Sequence, residues 1–367
     1  MNVHAPQSYE TVAELKYLSA TKHNMISPQE GKPNICIVQD SLLGAYLMTK
    51  GEVKVCKSDF YNISMSGDLS DGSPLWSPDT VKHINNIMKR FGKKNCYSGH
   101  GLVSLILPRD LYYENTNNSN ADEPTVKIYQ GVMYEGTLNK DILGTKHNSL
   151  IQVLHKEYGN VMAANFVDNI QFVTNNWLLT HGFSVGLQDC MVTSQKNTNT
   201  IKETIIQYYI KAEGIEKTTQ NPGIREVRIT AALSSAKDVG MKIAKESMNK
   251  DNNFLDTVGS GSKGDFFNIA QLTGLLGQQN ILGKRVKPMM NHGTRSLPHY
   301  PFKGISKSRE YESRGFVRHS FIRGLNPQEF FFHAMSGREG ICDKVVSQTG
   351  GCLIVIIIIM RVNSVTV

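Results

Sequence analysis

Gly324–Gly340, GLNPQEFFFHAMSGREG, is the stretch that decides the fold. Asn326 suits a helix N-cap, Pro327 takes the first helical position, and Glu329 stands where a capping box needs an acceptor for the Asn326 N–H. Phe330, Phe331 and Phe332 load the first turns with aromatic bulk, which reads as core packing rather than a cofactor box. Gly337 and Gly340 then fall inside the helix, each costing about 1 kcal/mol relative to alanine. A helix so firmly started and then so weakened is unusual.

Upstream, the chain of 367 residues has room for two or three domains, and 40% hydrophobic residues suffice for a real core. Net charge +8 and a pI near 9.0 are compatible with nucleic acid but are shared by many basic proteins. Their distribution says more. No Asp or Glu occurs from Phe266 to Arg309, while Lys284, Arg285, Lys287, Arg295, Lys303, Lys307 and Arg309 accumulate. Such a run attracts a phosphate backbone through counterion release, or equally makes a solvated surface or docks an acidic partner. Cys36, Cys56, Cys96, Cys190, Cys342 and Cys352 form no CxxC pair, which argues against zinc and a disulfide framework and points to a reducing compartment. No signal peptide opens the chain, and the apolar run Cys352–Met360 is about half a membrane span.

The first half reads as mixed α/β. Ile37–Thr49 suits a short helix, and Leu102–Leu107 reads as a buried strand. Val126–Tyr129 and Val132–Glu135 flank Gln130-Gly131 as a hairpin, with a polar loop over Tyr113–Pro124. From about Ser149 the pattern turns helical: Ile201–Ala212 and Ile229–Met248 are amphipathic, separated by a turn at Asn221–Gly223. Asp68–Gly72 (DLSDG) reads as turn chemistry, not a metal site. Gly259, Gly261 and Gly264 spell GxGxxG, but no persuasive strand precedes them and no acid follows at ribose distance. Lys263 is followed by Gly264 and Asp265, which excludes a P-loop.

Six blocks share one resemblance: MNVHAPQSYETVAEL from Met1, ISPQEGKPNICIVQDSLLGAYLMT over Ile26–Thr49, LLTHGFSVGLQD over Leu178–Asp189, GSKGDFFNIAQLTGLLGQQ over Gly261–Gln279, GKRVKPMMNHGTRSLPHY over Gly283–Tyr300, and Glu312–Asp343. Together they resemble the largest subunit of multisubunit DNA-directed RNA polymerases, of the eukaryotic messenger-RNA type and the versions carried by large DNA viruses. The resemblance implies a mixed α+β fold: an α/β pore domain over 1–175, a helical funnel domain over 176–297, and the start of a further domain with the bridge helix over 298–343. Residues 344–367 match no part of the family. Their isoleucine run is aggregation-prone if exposed and is what AT-rich non-coding sequence yields, so an interrupted reading frame is expected near Lys344.

The family's reaction is attack of an RNA 3′-hydroxyl on the α-phosphate of a nucleoside triphosphate, assisted by two magnesium ions. Their aspartate motif lies just upstream of the block that begins at Met1, so no metal ligand or catalytic residue is expected here, and the trigger loop is expected to be absent too. The resemblance places Lys263 near the incoming nucleotide, a surface lysine being the open alternative. It places Gln271, Gln278 and Gln279 beneath the bridge helix, where the toxin amanitin binds, as amides joining funnel to bridge helix. On that helix it places Phe331, His333, Arg338 and Glu339; His333 is expected packed with a satisfied nitrogen, and Arg338 and Glu339 in structural pairing rather than on nucleic acid. Implied partners are the other polymerase subunits, the second-largest above all, with DNA template, RNA and NTPs, and no membrane. Implied locations are the nucleus for a cellular enzyme, or a viral factory, host cytoplasm or virion for a viral one. Two functions stand: part of a nucleotidyltransferase that is inactive as an isolated chain, or a non-catalytic remnant that binds polymerase subunits or nucleic acid.

Overall fold

Ser149 caps a helix that the chain needs as its first scaffold, accepting the N–H of Gln152 and opening Leu150–His181. A computed structural model describes residues 5–68, 72–93, 96–115, 124–191, 195–238, 241, 251–301 and 304–344. The sequence readings at the centre of the DLSDG turn, in most of the polar loop 113–124, at the end of 229–248 and over the tail beyond 344 lie outside the described residues. Within them the chain is mixed helix and small sheets, divided into two units, 1–185 with 251–264, and 186–250 with 265–367.

The first unit runs through α1 (Tyr9–Tyr17), α2 (Gln39–Thr49), α3 (Lys57–Ser64), α4 (Pro78–Arg90), α5 (Gly99–Ser104), β1 (Tyr113–Glu114), β2 (Lys127–Tyr129), β3 (Val132–Glu135), α6 (Lys140–Leu143) and α7 (Leu150–His181). Phe166, Ile170, Val173 and Trp177 recur at helical spacing along α7 and are all buried, making the stripe on which α2 lies. The approach is close: a Cβ on Gly44 would sit 2.8 Å from Leu178 Cδ1. Gly159, at φ +88°, breaks α7 near its start. The three strands form an antiparallel sheet in the order β1-β2-β3. Gln130 and Gly131 join β2 to β3 with φ of +48° and +72°, the doubly left-handed geometry of a type I′ hairpin.

Leu102–Leu107 is not a strand. Ser98 accepts the N–H of Gly101 and starts α5, and the following residues turn instead of extending. All six residues from Leu102 to Leu107 are buried, and an apolar run of that length fits a buried strand or a buried helix equally. The helix also starts against backbone: a Cβ at Gly99 would lie 1.8 Å from the Met48 carbonyl oxygen, so α5 begins directly on the end of α2 and needs a glycine there.

The second unit begins with α8 (Gln195–Thr218) and α9 (Pro222–Ser234), a helical pair whose buried Ile201, Ile205, Ala212, Ile229 and Leu233 face each other. Asn221 accepts from Gly223 and Ile224 N–H, so the expected turn at 221–223 is the cap and first residues of α9. The chain then returns to the first unit for α10 (Asn253–Gly259). There Asp256 pairs with Lys50 at 2.6 Å, and the Ser260 carbonyl accepts the N–H of Lys140 at 3.0 Å.

The second unit resumes with α11 (Phe266–Thr273), β4 (Gly277–Gln278), β5 (Asn280–Ile281), β6 (Lys284–Arg285), α12 (Lys307–Ser313), β7 (Phe316–Val317) and α13 (Pro327–Ile341). β4 pairs with β7 and β5 with β6, both antiparallel. In α13 a Cβ at Gly337 or Gly340 would meet nothing within 4 Å among the described residues. Replacing either with alanine is therefore expected to stabilise the second unit by about 1 kcal/mol in urea unfolding, because only the helix propensity changes. A loss of stability would show that those positions are covered.

Candidate functional site

The start of α13 is held by one buried carboxylate. Glu329 Oε2 accepts the Asn326 N–H at 2.9 Å, Oε1 accepts the Arg318 N–H at 3.1 Å, and His319 Nδ1 lies 2.8 Å from Oε2. The expected acceptor of the capping box thus also fixes the segment that follows β7. Phe332 is 1% exposed and packs with Val286 and Tyr300, whereas Phe330 and Phe331 are exposed. Only one of the three phenylalanines is core.

One face of the helix is hydrogen-bonded to the β5–β6 hairpin. His333 Nδ1 lies 3.2 Å from Gln279 Oε1, Ser336 Oγ donates to the Asn280 carbonyl at 3.1 Å, and Glu339 Oε1 accepts the Leu282 N–H at 2.7 Å. Residues 333, 336 and 339 are spaced by three, so they share a face and meet Gln279, Asn280 and Leu282 in order along the hairpin. Leu282 and Gly283 turn the hairpin at φ +51° and +71°. Leucine is disfavoured there, and the Glu339 carboxylate is the contact that holds its N–H.

Gln278 is buried and donates to the Gln279 and Arg314 carbonyls. Gln271 lies on α11, and its carbonyl accepts the Phe321 N–H. Arg338 is exposed and forms no ion pair among the described residues. Lys263 is exposed in the Gly259–Gly264 turn of the first unit, its N–H directed to the Thr257 carbonyl. The structure thus brings together Gln279, His333 and Glu339 around the hairpin. Ser336, Asn280 and Leu282 complete that contact, and sequence reading missed them because a serine and two backbone groups carry no motif.

Lys237 borders the same cluster. Its ammonium lies 5.2 Å from the Phe267 ring centre, and its chain fills the space beside Gly277, at φ +76°. Burial lowers the Lys237 pKa, and burial together with the Lys237 charge lowers that of His333. His333 is therefore a neutral imidazole at neutral pH.

Behind the hairpin, Glu226 of α9 holds two arginines. Arg285 Nε and Nη2 donate to its carboxylate at 2.8 and 2.6 Å, and Arg314 Nη2 at 2.9 Å. Burial works to raise the Glu226 pKa, but the guanidiniums outweigh it and the net shift is downward. A cavity of about 350 Å³ lies between hairpin and helix, lined by Phe331, Phe332, Met335 and Leu297, with Lys284 and Lys287 at its edge. Among the described residues no three His, Cys, Asp or Glu side chains converge. No described helix is long and apolar enough to cross a membrane.

Comparison with known proteins gives these elements a family. The description "RNA polymerase Rpb1, domain 3" matches residues 24–190, and "RNA polymerase Rpb1, domain 4" matches 206–317. A protein of Invertebrate iridescent virus 6, "Probable DNA-directed RNA polymerase II subunit RPB1 homolog", is 45% identical over 95% of this chain. The alignment takes in 35% of that relative, so the chain spans about a third of its length. With domains 3 and 4 in order and close identity along nearly the whole sequence, the chain belongs to the Rpb1 family, the largest subunits of DNA-directed RNA polymerases.

Proposed function

We propose that this chain forms the pore (1–175), the funnel (176–297) and the beginning of the bridge helix (298–343) of a viral DNA-directed RNA polymerase. The observation that carries this reading is the 45% identity to a viral Rpb1 homologue across both domains. Template-directed RNA synthesis is the activity of the complete enzyme, and the second-largest subunit, template DNA, RNA and NTPs are its partners. Its place is a viral factory, the host cytoplasm or the virion; a nuclear site belongs to a cellular version.

In the complete enzyme magnesium would supply the Lewis acid. The role of this chain's side chains is mechanical and electrostatic. Gln279, Ser336 and Glu339 couple the bridge helix to the funnel hairpin, so that movement of one displaces the other. Neutral His333 adds a hydrogen bond without bringing a second cation beside Lys237. Exposed Lys263 provides a cation for the triphosphate, and exposed Phe331 and Arg338 face subunits or nucleic acid.

The test is purification of the affinity-tagged chain from its native source. A co-purifying second-largest polymerase subunit and template-dependent RNA synthesis are expected, with Lys263→Ala raising the KM for NTPs. The isolated recombinant chain is expected to add no nucleotides. A tagged chain that brings down polymerase subunits without activity under any template condition would favour the non-catalytic binding role.

A further inference from the structure

The first unit carries a row of partly exposed aromatic rings that the polymerase reading does not use. Trp76 packs edge-on to Tyr61 at 5.4 Å, and Tyr61 lies 6.2 Å from Tyr97. On the other side, Tyr134 stacks on Phe91 at 3.9 Å, Phe91 meets Tyr129 at 5.6 Å, and Tyr129 meets Tyr112 at 5.2 Å. The two groups share a border, because Tyr97 and Tyr134 line the same small notch. The row ends at Tyr112, which is 56% exposed.

Cations alternate with these rings. Lys57 lies 6.0 Å from the Tyr97 ring centre and Arg90 lies 5.5 Å from that of Tyr129, while Lys54 and Lys93 border the notch. Among the described residues the one carboxylate lining the notch, Glu52, is occupied by Lys93 at 2.6 Å. Lys54, Lys57 and Arg90 are exposed. A cationic ligand seeking an aromatic cage would meet these charges as repulsion. An acidic peptide would use the charges but not the rings. A chain of phosphates that also carries planar groups uses both.

We propose that this row is a binding surface for single-stranded nucleic acid, its bases lying on the exposed edge of the aromatic row and its phosphates on Lys54, Lys57 and Arg90. Stacking on aromatic side chains is tolerant of sequence, so the surface binds strands with little base preference. The proposal stands independently of the polymerase reading, since it concerns binding alone.

The test is fluorescence anisotropy of the full chain with a labelled oligouridylate and with an RNA duplex of equal length, across a salt series. The expected result is preference for the single strand, weakened about tenfold by Tyr112→Ala and retained by Tyr112→Phe. Lys54→Ala with Lys57→Ala should lower the slope of log affinity against log salt by about 1.4. Equal affinity for duplex overturns the proposal. So does binding that survives Tyr112→Ala but is lost with Lys284→Ala and Lys287→Ala, because the strand would then lie on the second unit's basic segment. Absence of binding at low salt overturns it outright, and circular dichroism of each variant separates loss of contact from loss of fold.

Discussion

Glu226→Ala is expected to lower the stability of the second unit by about 3 kcal/mol in urea unfolding, the low end for breaking a buried ion pair. The size follows from what is left behind. Arg285 is 3% exposed and spends two donors on Glu226, so its charge would remain buried without a counter-ion. Glu226 itself keeps 31% exposure, which places the cost at the bottom of the range. Replacing Glu226 and Arg285 together with leucine and methionine should recover only part of the loss, because Arg285 no longer leaves a buried charge but Arg314 still loses its partner. A single substitution that costs nothing would mean the arginines have other partners.

The same carboxylate sets a pH dependence. Its folded pKa lies below the ordinary value of 4.5, so its contribution is complete above that value and disappears as pH falls through the folded pKa. The wild-type chain should therefore lose stability in acid more steeply than Glu226→Gln. Glu312 runs the other way: burial, opposed by Arg318, raises its pKa, so it destabilises once pH rises above the ordinary carboxylate value.

Gly99→Ala is expected to cost at least about 3 kcal/mol in the first unit and to leave much of the protein insoluble. Its Cβ would lie 1.8 Å from the Met48 carbonyl oxygen, a backbone atom that cannot swing aside. The chemistry is identical to that at Gly337, where the same methyl group meets open space and is expected to stabilise. Differential scanning calorimetry of the two variants should give shifts of opposite sign. A mild effect at Gly99 would show that α5 can slide away from α2.

The helix read over 37–49 and found over 39–49, the Gln130-Gly131 hairpin and the Pro327 start of α13 were legible because turn chemistry and periodicity are local. The helix at 99–104 was not, since a short apolar run buried on all sides has no periodicity to separate helix from strand. The basic run was legible as charge but not as surface. Arg285 is buried on Glu226, Lys307 pairs with Glu216 and Glu310, and Arg295 bonds the Pro298 carbonyl. Absence of acids within the run gave no sign of Glu226, 59 positions upstream. Of the three glutamines marked by resemblance, Gln279 meets His333 on the helix, whereas Gln278 donates to the Gln279 and Arg314 carbonyls; the bonds from Ser336 and Glu339 to backbone groups needed the hairpin to be in place.

The return of α10 to the first unit sets a timetable for the chain's synthesis. Lys50 and Lys140 leave the ribosome early, yet their partners Asp256 and Ser260 emerge only after residues 186–250 have been translated. At about 5–20 residues per second that interval lasts roughly 3–13 s. During it the nascent first unit waits incomplete while the α8–α9 pair is already able to close on itself. Slowed translation across 186–250 should lengthen the exposure of that unfinished surface to chaperones, and a ribosome stalled before Asp256 should leave it open to proteolysis.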